Sequence, residues 1–448
     1  MSVLLSDSKE PITEKRQLVE YFAKAGKPKS DWLIGCEHEK FPFRLSTLKP
    51  VSYEEPNGMR DFLRAMQSEF KWEPVMEGET IIGLTRGKSA ISFEPGAQLE
   101  LAGAPLKTLT EVAAEDDLHF KEVHQIGEKL GIGFLGIGFH PTAKREDIKW
   151  VPKGRYRIMG PYMLKRGTLG QDMMLRTCTV QVNLDFADEA DMIKKFRAGL
   201  ALQPIATSLF ASSPFKEGKP NGYNSYRMNV WTDTDPDRSG YLPFVFEDGF
   251  SYERYTDYAL DVPMYFVYRN GRYIDCSGQS FRDFMQGKLP ALPGEVPTLD
   301  DWANHLTTLF PDVRLKKIIE MRGADMSCQR ILMALPAFWT GLLYDSAALD
   351  AAHELVKEWT ESERVHLHND VPRLGLRAKI HGRTVLDVAK DALAISREGL
   401  RRRAPGDERY LEPLIEVVGN GRNRADEMLL QFQQPNFDIN NLFKDCRL

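Results

Sequence analysis

Four short segments constrain this chain more than any other feature. Each is strand-like and carries polar residues two apart: Glu37-His38-Glu39, Gln98-Leu99-Glu100, Gln181-Val182-Asn183 and Glu320-Met321-Arg322. Along a β-strand, residues i and i+2 point to the same face. Each segment therefore sets two polar groups side by side, and several such strands in one sheet would line a polar cavity. Gathered carboxylates repel one another and are costly to desolvate, so they persist where something positive sits among them. For several glutamates with amide neighbours, the fitting partner is a hard divalent cation. The pattern points to magnesium and a phosphorylated substrate.

The remaining periodicity says what surrounds these segments. Alternation is clearest at 177–186, where Thr177, Thr179, Gln181, Asn183 and Asp185 interleave with Cys178, Val180, Val182, Leu184 and Phe186. One face is polar and the other apolar. Residues 79–102 read as a β-meander with a turn at Arg86-Gly87-Lys88. Residues 32–45, 132–139, 264–275 and 318–323 read as strands, and 14–25, 58–70, 108–130 and 187–210 as helices. The stretch 299–448 is otherwise mostly helical. Hairpin signals recur without regular βαβ alternation, which predicts an α+β fold with a mainly antiparallel sheet. No linker or repeat interrupts the sequence. The 448 residues read as one catalytic domain with a mostly helical C-terminal part from about 340.

Charge and cysteine content exclude other classes. A net charge of −5 implies no global attraction to nucleic acid. Arg401-Arg402-Arg403 closes a helical pattern, where cations complement the carbonyl end. None of the five cysteines forms a Cys-x-x-Cys pair, which excludes a zinc ribbon and suggests a reducing compartment. Residues 1–16 show no signal-peptide core, and the longest apolar stretch, 131–139, is too short to span a bilayer. The expected location is the cytoplasm, without membrane or nucleic-acid partners. Gly131-Ile-Gly-Phe-Leu-Gly136 matches Gly-x-Gly-x-x-Gly. A helix precedes it, however, and Phe139-His140-Pro141 follows, the reverse of the dinucleotide order. It reads as a buried glycine-rich strand. No Walker A motif occurs, so ATP must be held another way.

A lone Glu-x-Glu is ordinarily a solvated edge. Here Ile34-Gly35 and Phe41-Pro42-Phe43 flank Glu37 and Glu39 with core-like residues. In Glu94-Pro-Gly-Ala-Gln-Leu-Glu100, proline and glycine signal a bulge or tight turn that lets Glu94 and Glu100 face one cavity. Glu320 beside Arg322 pairs a potential metal ligand with a guanidinium, as phosphoryl transfer uses. Arg227 lies in a polar, loop-like stretch and suits bidentate carboxylate binding. Lys153 and Arg155 form a second candidate anion site. His38 falls on the opposite face of its strand and reads as structural, and Cys178 falls on an apolar face.

Several long motifs resemble one known family. They are Gly35-Cys-Glu-His-Glu-Lys-Phe41, Glu94-Pro-Gly-Ala-Gln-Leu-Glu-Leu-Ala-Gly103, Met173-Met-Leu-Arg-Thr-Cys-Thr-Val-Gln-Val-Asn183, Glu320-Met-Arg-Gly-Ala-Asp325 and Leu335-Pro-Ala-Phe-Trp339. In this order they are similar to the plant-type glutamate–cysteine ligases, also found in proteobacteria and related to the glutamine synthetase superfamily. The similarity runs from about 32 to 345 and continues more weakly to the C-terminus. It implies a curved antiparallel sheet lining a funnel-shaped site for ATP, two or three magnesium ions and glutamate. It implies Glu37, Glu39, Glu94, Glu100 and Glu320 as metal ligands, with Gln181 where related ligases carry a histidine. Arg322 would lie beside the transferred phosphate. Arg227, Met174, Cys178 and Tyr265 would meet substrate, and Lys153 and Arg155 would contact phosphate. The implied reaction joins the γ-carboxylate of L-glutamate to L-cysteine through γ-glutamyl phosphate, the first step of glutathione synthesis. Plant members carry two cysteine pairs linked to redox control. This chain has Ala113 and Met333 for one pair, and Cys276 with Ala291 for the other. The resemblance thus implies no thiol switch, no disulfide-driven dimer and a monomeric enzyme. Two alternatives stay open: the same chemistry with another amine acceptor, and a non-catalytic nucleotide- or metal-binding protein.

Overall fold

The strand β1 (Ile34–Arg44) carries Glu37 and Glu39 and is buried at all but its last residue. A strand covered on both faces belongs in the middle of a sheet. In the computed structural model, which describes residues 10–448, β1 is the hub of a nine-stranded sheet. Residues 1–9, part of the stretch read as lacking a signal-peptide core, lie outside the described residues. The other strands are β2 (Glu73–Glu77), β3 (Thr80–Arg86), β4 (Ser89–Phe93), β5 (Leu99–Ala102), β6 (Ile132–Leu135), β7 (Thr179–Leu184), β8 (Val313–Leu315) and β9 (Ile319–Asp325). Their order is β8-β9-β7-β1-β5-β4-β3-β2, with β6 on the far half of β1. All pairings within this sheet are antiparallel, as the α+β reading expects.

Register decides which side chains meet. Glu39 stands opposite Glu100, Glu37 opposite Gln181, and Asn183 opposite Glu320. Directly opposed residues share a face, so one face of the sheet is polar across four strands. The other face presents Cys36, Val180, Val182, Leu101 and Met321, all buried. It is covered by helices α1 (Leu109–Leu130), α4 (Glu189–Phe210) and α6 (Ala334–Leu343). Burying a side chain such as Val182 or Met321 stabilises the fold by about 1.5–3 kcal/mol. His38 belongs to this covered side, stacked on the Phe120 ring and 3.3 Å from Asp116 of α1. Helix α1 begins in a capping box of Thr108 with Glu111 and ends at Gly131 with φ 67°. The polar face is bordered by α2 (Gly154–Arg166), α3 (Gly170–Arg176) and α5 (Tyr226–Trp231), while α7 (Val385–Arg403) packs behind α6.

Some elements differ from the sequence reading. Strand β2 is an exposed edge with Pro74, too polar to show a period. Residues 170–176 form a helix ahead of β7, and only Ile132–Leu135 of the 132–139 stretch joins the sheet. The glycine-rich segment there serves packing: a Cβ on Gly133 would lie 2.4 Å from the Phe43 ring. Beyond Asp325 the chain is helical apart from the short strands Lys379–Ile380 and Arg383–Thr384. Among the described residues no single helix is long and apolar enough to cross a membrane.

Candidate active site

The polar face opens into a cleft with room of about 110 Å³, continuous with solvent. One wall is carboxylate. Glu39 on β1, Glu100 on β5 and Glu94 just after β4 offer oxygens that all lie within 4.8 Å of one another. The β4–β5 turn makes this possible. Glu94 and Gln98 close it through backbone hydrogen bonds, and Ala97 takes φ 68°. The Gln98 side chain accepts from the Gly96 N–H at 2.8 Å and donates to the carbonyls of Met174 and Thr177. A Cβ on Gly96 would meet the Leu175 carbonyl oxygen at 2.6 Å, so only glycine fits there. Glu39 accepts from the Thr179 N–H at 3.0 Å, and Glu100 from the Ser92 hydroxyl at 2.8 Å. Burial, and then the charges of Glu94 and Glu100, push the Glu39 carboxyl well above its ordinary range. Burial and Glu100 likewise raise Glu94. Oxygen donors in this state suit a hard cation, which restores ionisation by neutralising them.

The opposite wall is cationic. Arg227, Arg314 and Arg322 line the cleft together with Trp231, Phe310 and Thr307, and Arg155 also lines it, close enough to Glu94 to favour its ionisation. Arg322 donates to Gln181 Oε1 at 2.8 Å and to Glu320 at 3.3 Å. Arg227 donates to the Arg322 carbonyl at 3.0 Å, while its Nε and Nη1 are buried with no partner among the described residues. Arg155 Nε and Trp231 Nε1 are in the same condition. Unpaired buried donors are costly, and here they lie on one cavity.

The structure brings Glu37, Glu39, Glu94, Glu100, Gln181, Arg155, Met174, Arg227 and Arg322 to this cleft. Glu37 accepts from Asn183 Nδ2 at 2.7 Å. Other expected site residues meet partners within the protein. Glu320 does not join the carboxylate group. It is fully buried against Arg314 Nε at 2.5 Å and Lys316 Nζ at 3.3 Å, so its oxygens serve cations of the protein itself. Burial opposes its ionisation, yet Arg314, Lys316 and Arg322 hold its carboxyl well below the usual range. Gln181 turns its oxygen to Arg322 and not to the carboxylates. Cys178 is packed in the core behind the sheet and does not line the cleft. Tyr265 is buried as well, donating to Met163 Sδ and lying 3.9 Å from the Arg238 guanidinium. Lys153 donates to the Phe93 carbonyl at 2.7 Å, behind the carboxylate wall. Burial pulls its amine down to about 8, against the opposing effect of Glu94 and Glu100. Arg227 sits on a helix and not in a loop: Ser225 caps α5 by accepting from the Met228 N–H.

Arg314, Thr179, Tyr156, Trp231 and Phe310 were not singled out from sequence. For Arg314 a signal exists. Val313-Arg314-Leu315 and Ile319-Glu320-Met321 are apolar-charged-apolar triplets of opposite sign, and they pair as a hairpin with Arg314 opposite Glu320.

Comparison with known proteins fits this geometry. A family model described as Glutamate-cysteine ligase family 2 matches residues 33–442. A chloroplastic glutamate–cysteine ligase of Brassica juncea is 56% identical over 420 residues, 94% of this chain and 81% of that protein. Glutamate–cysteine ligase B, chloroplastic, of Oryza sativa subsp. japonica is 55% identical over 94% of this chain and 84% of its own length. Among solved structures, a glutamate–cysteine ligase of Francisella tularensis in complex with AMP superposes with a TM-score of 0.58. It is 11% identical and covers 93% of this chain and 87% of that one, a likeness of fold. The relatives correct one expectation: their names place them in the chloroplast, so the cytoplasmic assignment does not stand. With this match along nearly its whole length, the chain belongs to glutamate–cysteine ligase family 2.

Proposed function

We propose that this enzyme joins the γ-carboxylate of L-glutamate to the amine of L-cysteine, driven by ATP, with magnesium held by Glu39, Glu94 and Glu100. Glutamate–cysteine ligation, the first step of glutathione synthesis, is the activity of the family to which the chain belongs. The observation that carries the site assignment is the pairing of two walls. Three glutamates with oxygens within 4.8 Å face a cleft shared with the unpartnered Arg227 and Arg155 donors. Glu37, on the same face, supplies a further carboxylate for a second ion. Bound magnesium would neutralise the ATP phosphates and keep them beside the attacking carboxylate.

The chain's own residues do the rest. Arg227 offers its unpartnered N–H groups to the anionic groups of glutamate, which favours one orientation. The γ-carboxylate attacks the terminal phosphorus of ATP, and ADP leaves. Arg322 and Arg314 meet the negative charge on the moving phosphoryl group. The amine of cysteine then attacks γ-glutamyl phosphate, phosphate departs, and the amide forms. No protein nucleophile takes part, in keeping with Cys178 being packed in the core and not lining the cleft. Met159, Met173 and Met174 give the cleft an apolar side suited to a thiol-bearing acceptor. In this reading the whole chain is one catalytic domain and acts as a monomer.

The test is release of ADP by purified protein with magnesium, ATP and glutamate, with and without cysteine, beside a panel of other small amines. Turnover that depends on cysteine supports the reading. Turnover supported equally by another amine would keep the phosphoryl chemistry and overturn the acceptor, and silence with all amines would overturn the reading entirely.

A further inference from the structure

Strand β9 changes parity midway. Glu320 pairs with Asn183 and Asp325 with Thr179, both on the polar face, yet they are five residues apart. The register shift between Met321 and Ala324 supplies the extra residue. This bulge turns Asp325 toward the base of helix α5. Its carboxylate is fully buried and accepts from the Ser212 N–H at 3.0 Å, the Ser213 hydroxyl at 2.6 Å and the Ser225 hydroxyl at 2.8 Å. A serine hydroxyl has one proton to give. With both protons committed to Asp325, Ser213 presents a lone pair to the Arg227 N–H at 3.1 Å, and Ser225 presents one to the Met228 N–H at 3.1 Å. An acceptor-only carboxylate thus sets both hydroxyls in the sense that anchors the first turn of α5. Burial pulls the Arg227 guanidinium below its ordinary value, and the Asp325 charge opposes that fall.

We propose that Asp325 is a positioning residue for glutamate binding, acting through Ser213 and Ser225 to aim Arg227 into the cleft. This rests on the reading that Arg227 holds glutamate. An asparagine at 325 would turn an N–H₂ group toward one of the two serines, forcing that hydroxyl to reverse and release an α5 amide.

The experiment measures KM for glutamate, KM for ATP and kcat in the wild type, Asp325→Asn, Arg227→Lys and the double variant, with thermal melting of each. Asp325→Asn is expected to raise the glutamate KM about tenfold, the size of one charge-assisted hydrogen bond. ATP KM and kcat should change much less. The double variant should match Arg227→Lys alone, because the two residues act in series. A glutamate KM unchanged in Arg227→Lys would overturn the underlying assignment and the proposal with it. A raised KM in Arg227→Lys, with effects that multiply in the double variant or fall on kcat and melting alone, would overturn the role of Asp325 only. Should Asp325→Asn fail to fold, Ser213→Ala carries the same test, with a raised glutamate KM expected and an unchanged one contradicting the proposal.

Discussion

Replacing Glu320 by glutamine separates two roles for a residue first read as a metal ligand. The carboxylate is fully buried, with Arg314 Nε at 2.5 Å, Lys316 Nζ at 3.3 Å and Arg322 Nη1 at 3.3 Å. At an effective dielectric near 20, a unit pair about 3 Å apart attracts by about 5 kcal/mol before desolvation is counted. Three such attractions are offset by desolvation and by repulsion among the cations. Removing one member of a buried ion cluster leaves uncompensated charge and typically costs about 3–5 kcal/mol. The glutamine oxygen still accepts from one guanidinium, so a loss of about 3 kcal/mol is expected. The assay is urea unfolding without magnesium, urea being uncharged and unable to screen the cluster. The expected result is a large fall in the midpoint. The reasoning is refuted if metal-free stability falls by less than about 1 kcal/mol while the magnesium needed for half-maximal turnover rises.

Three further outcomes are expected. A Cβ on Gly138 would lie 2.4 Å from the Asp325 carboxyl carbon, so Gly138→Ala should displace that carboxylate. A loss of about 1–3 kcal/mol in chemical unfolding should accompany a raised glutamate KM. Cys178→Ala should cost about 1–2 kcal/mol as a small core truncation and leave the cysteine KM unchanged in steady-state kinetics. Burial and Arg176 pull His140 down to about 3, and burial pulls His305 down to about 4. Their folded values lie below the unfolded value of about 6.5. The stability they contribute is therefore complete above that pH and is lost as pH falls toward the folded values. Each removes about 1.4 kcal/mol per pH unit within the window. His140→Asn, which retains an acceptor for the Ala143 N–H, should show a shallower decline of the urea midpoint between neutral pH and pH 5.

The carboxylate wall was legible because strand alternation is a local property. Glu37 and Glu39 lie two apart, and Pro95-Gly96 announces the turn that brings Glu94 back to Glu100. The antiparallel sheet followed from the same alternation. What alternation cannot give is register. Arg314 sits on a three-residue strand whose apolar-charged-apolar pattern is too short to stand out until it is paired with Glu320. Asp325 falls five residues after Glu320, which a regular strand would put on the opposite face. Only the bulge between Met321 and Ala324 returns it. Glu320 reads as a potential metal ligand from its place beside Arg322 on the polar face, and Gln181 only through the family resemblance. The cations that claim their oxygens come from β8 and β9, which no local pattern relates to β1. For Cys178, residue alternation already favoured packing, and the structure agrees with that reading over the substrate contact implied by resemblance. Tyr265 sits in a motif that is structural here, its ring against Arg238.

The most direct measurement is a magnesium titration of cysteine-dependent ADP release in the wild type, Glu39→Gln and Glu100→Gln, with glutamate and ATP saturating. If these glutamates hold the ion, each variant should need at least about tenfold more magnesium for half-maximal turnover, since each loses a charged ligand. The melting temperature of Glu39→Gln without metal should be unchanged or raised, because burial and the charges of Glu94 and Glu100 disfavour the Glu39 carboxylate when no cation is bound. An unaltered magnesium requirement in both variants, with turnover lost or kept, would contradict the assignment of the carboxylate wall as the metal site.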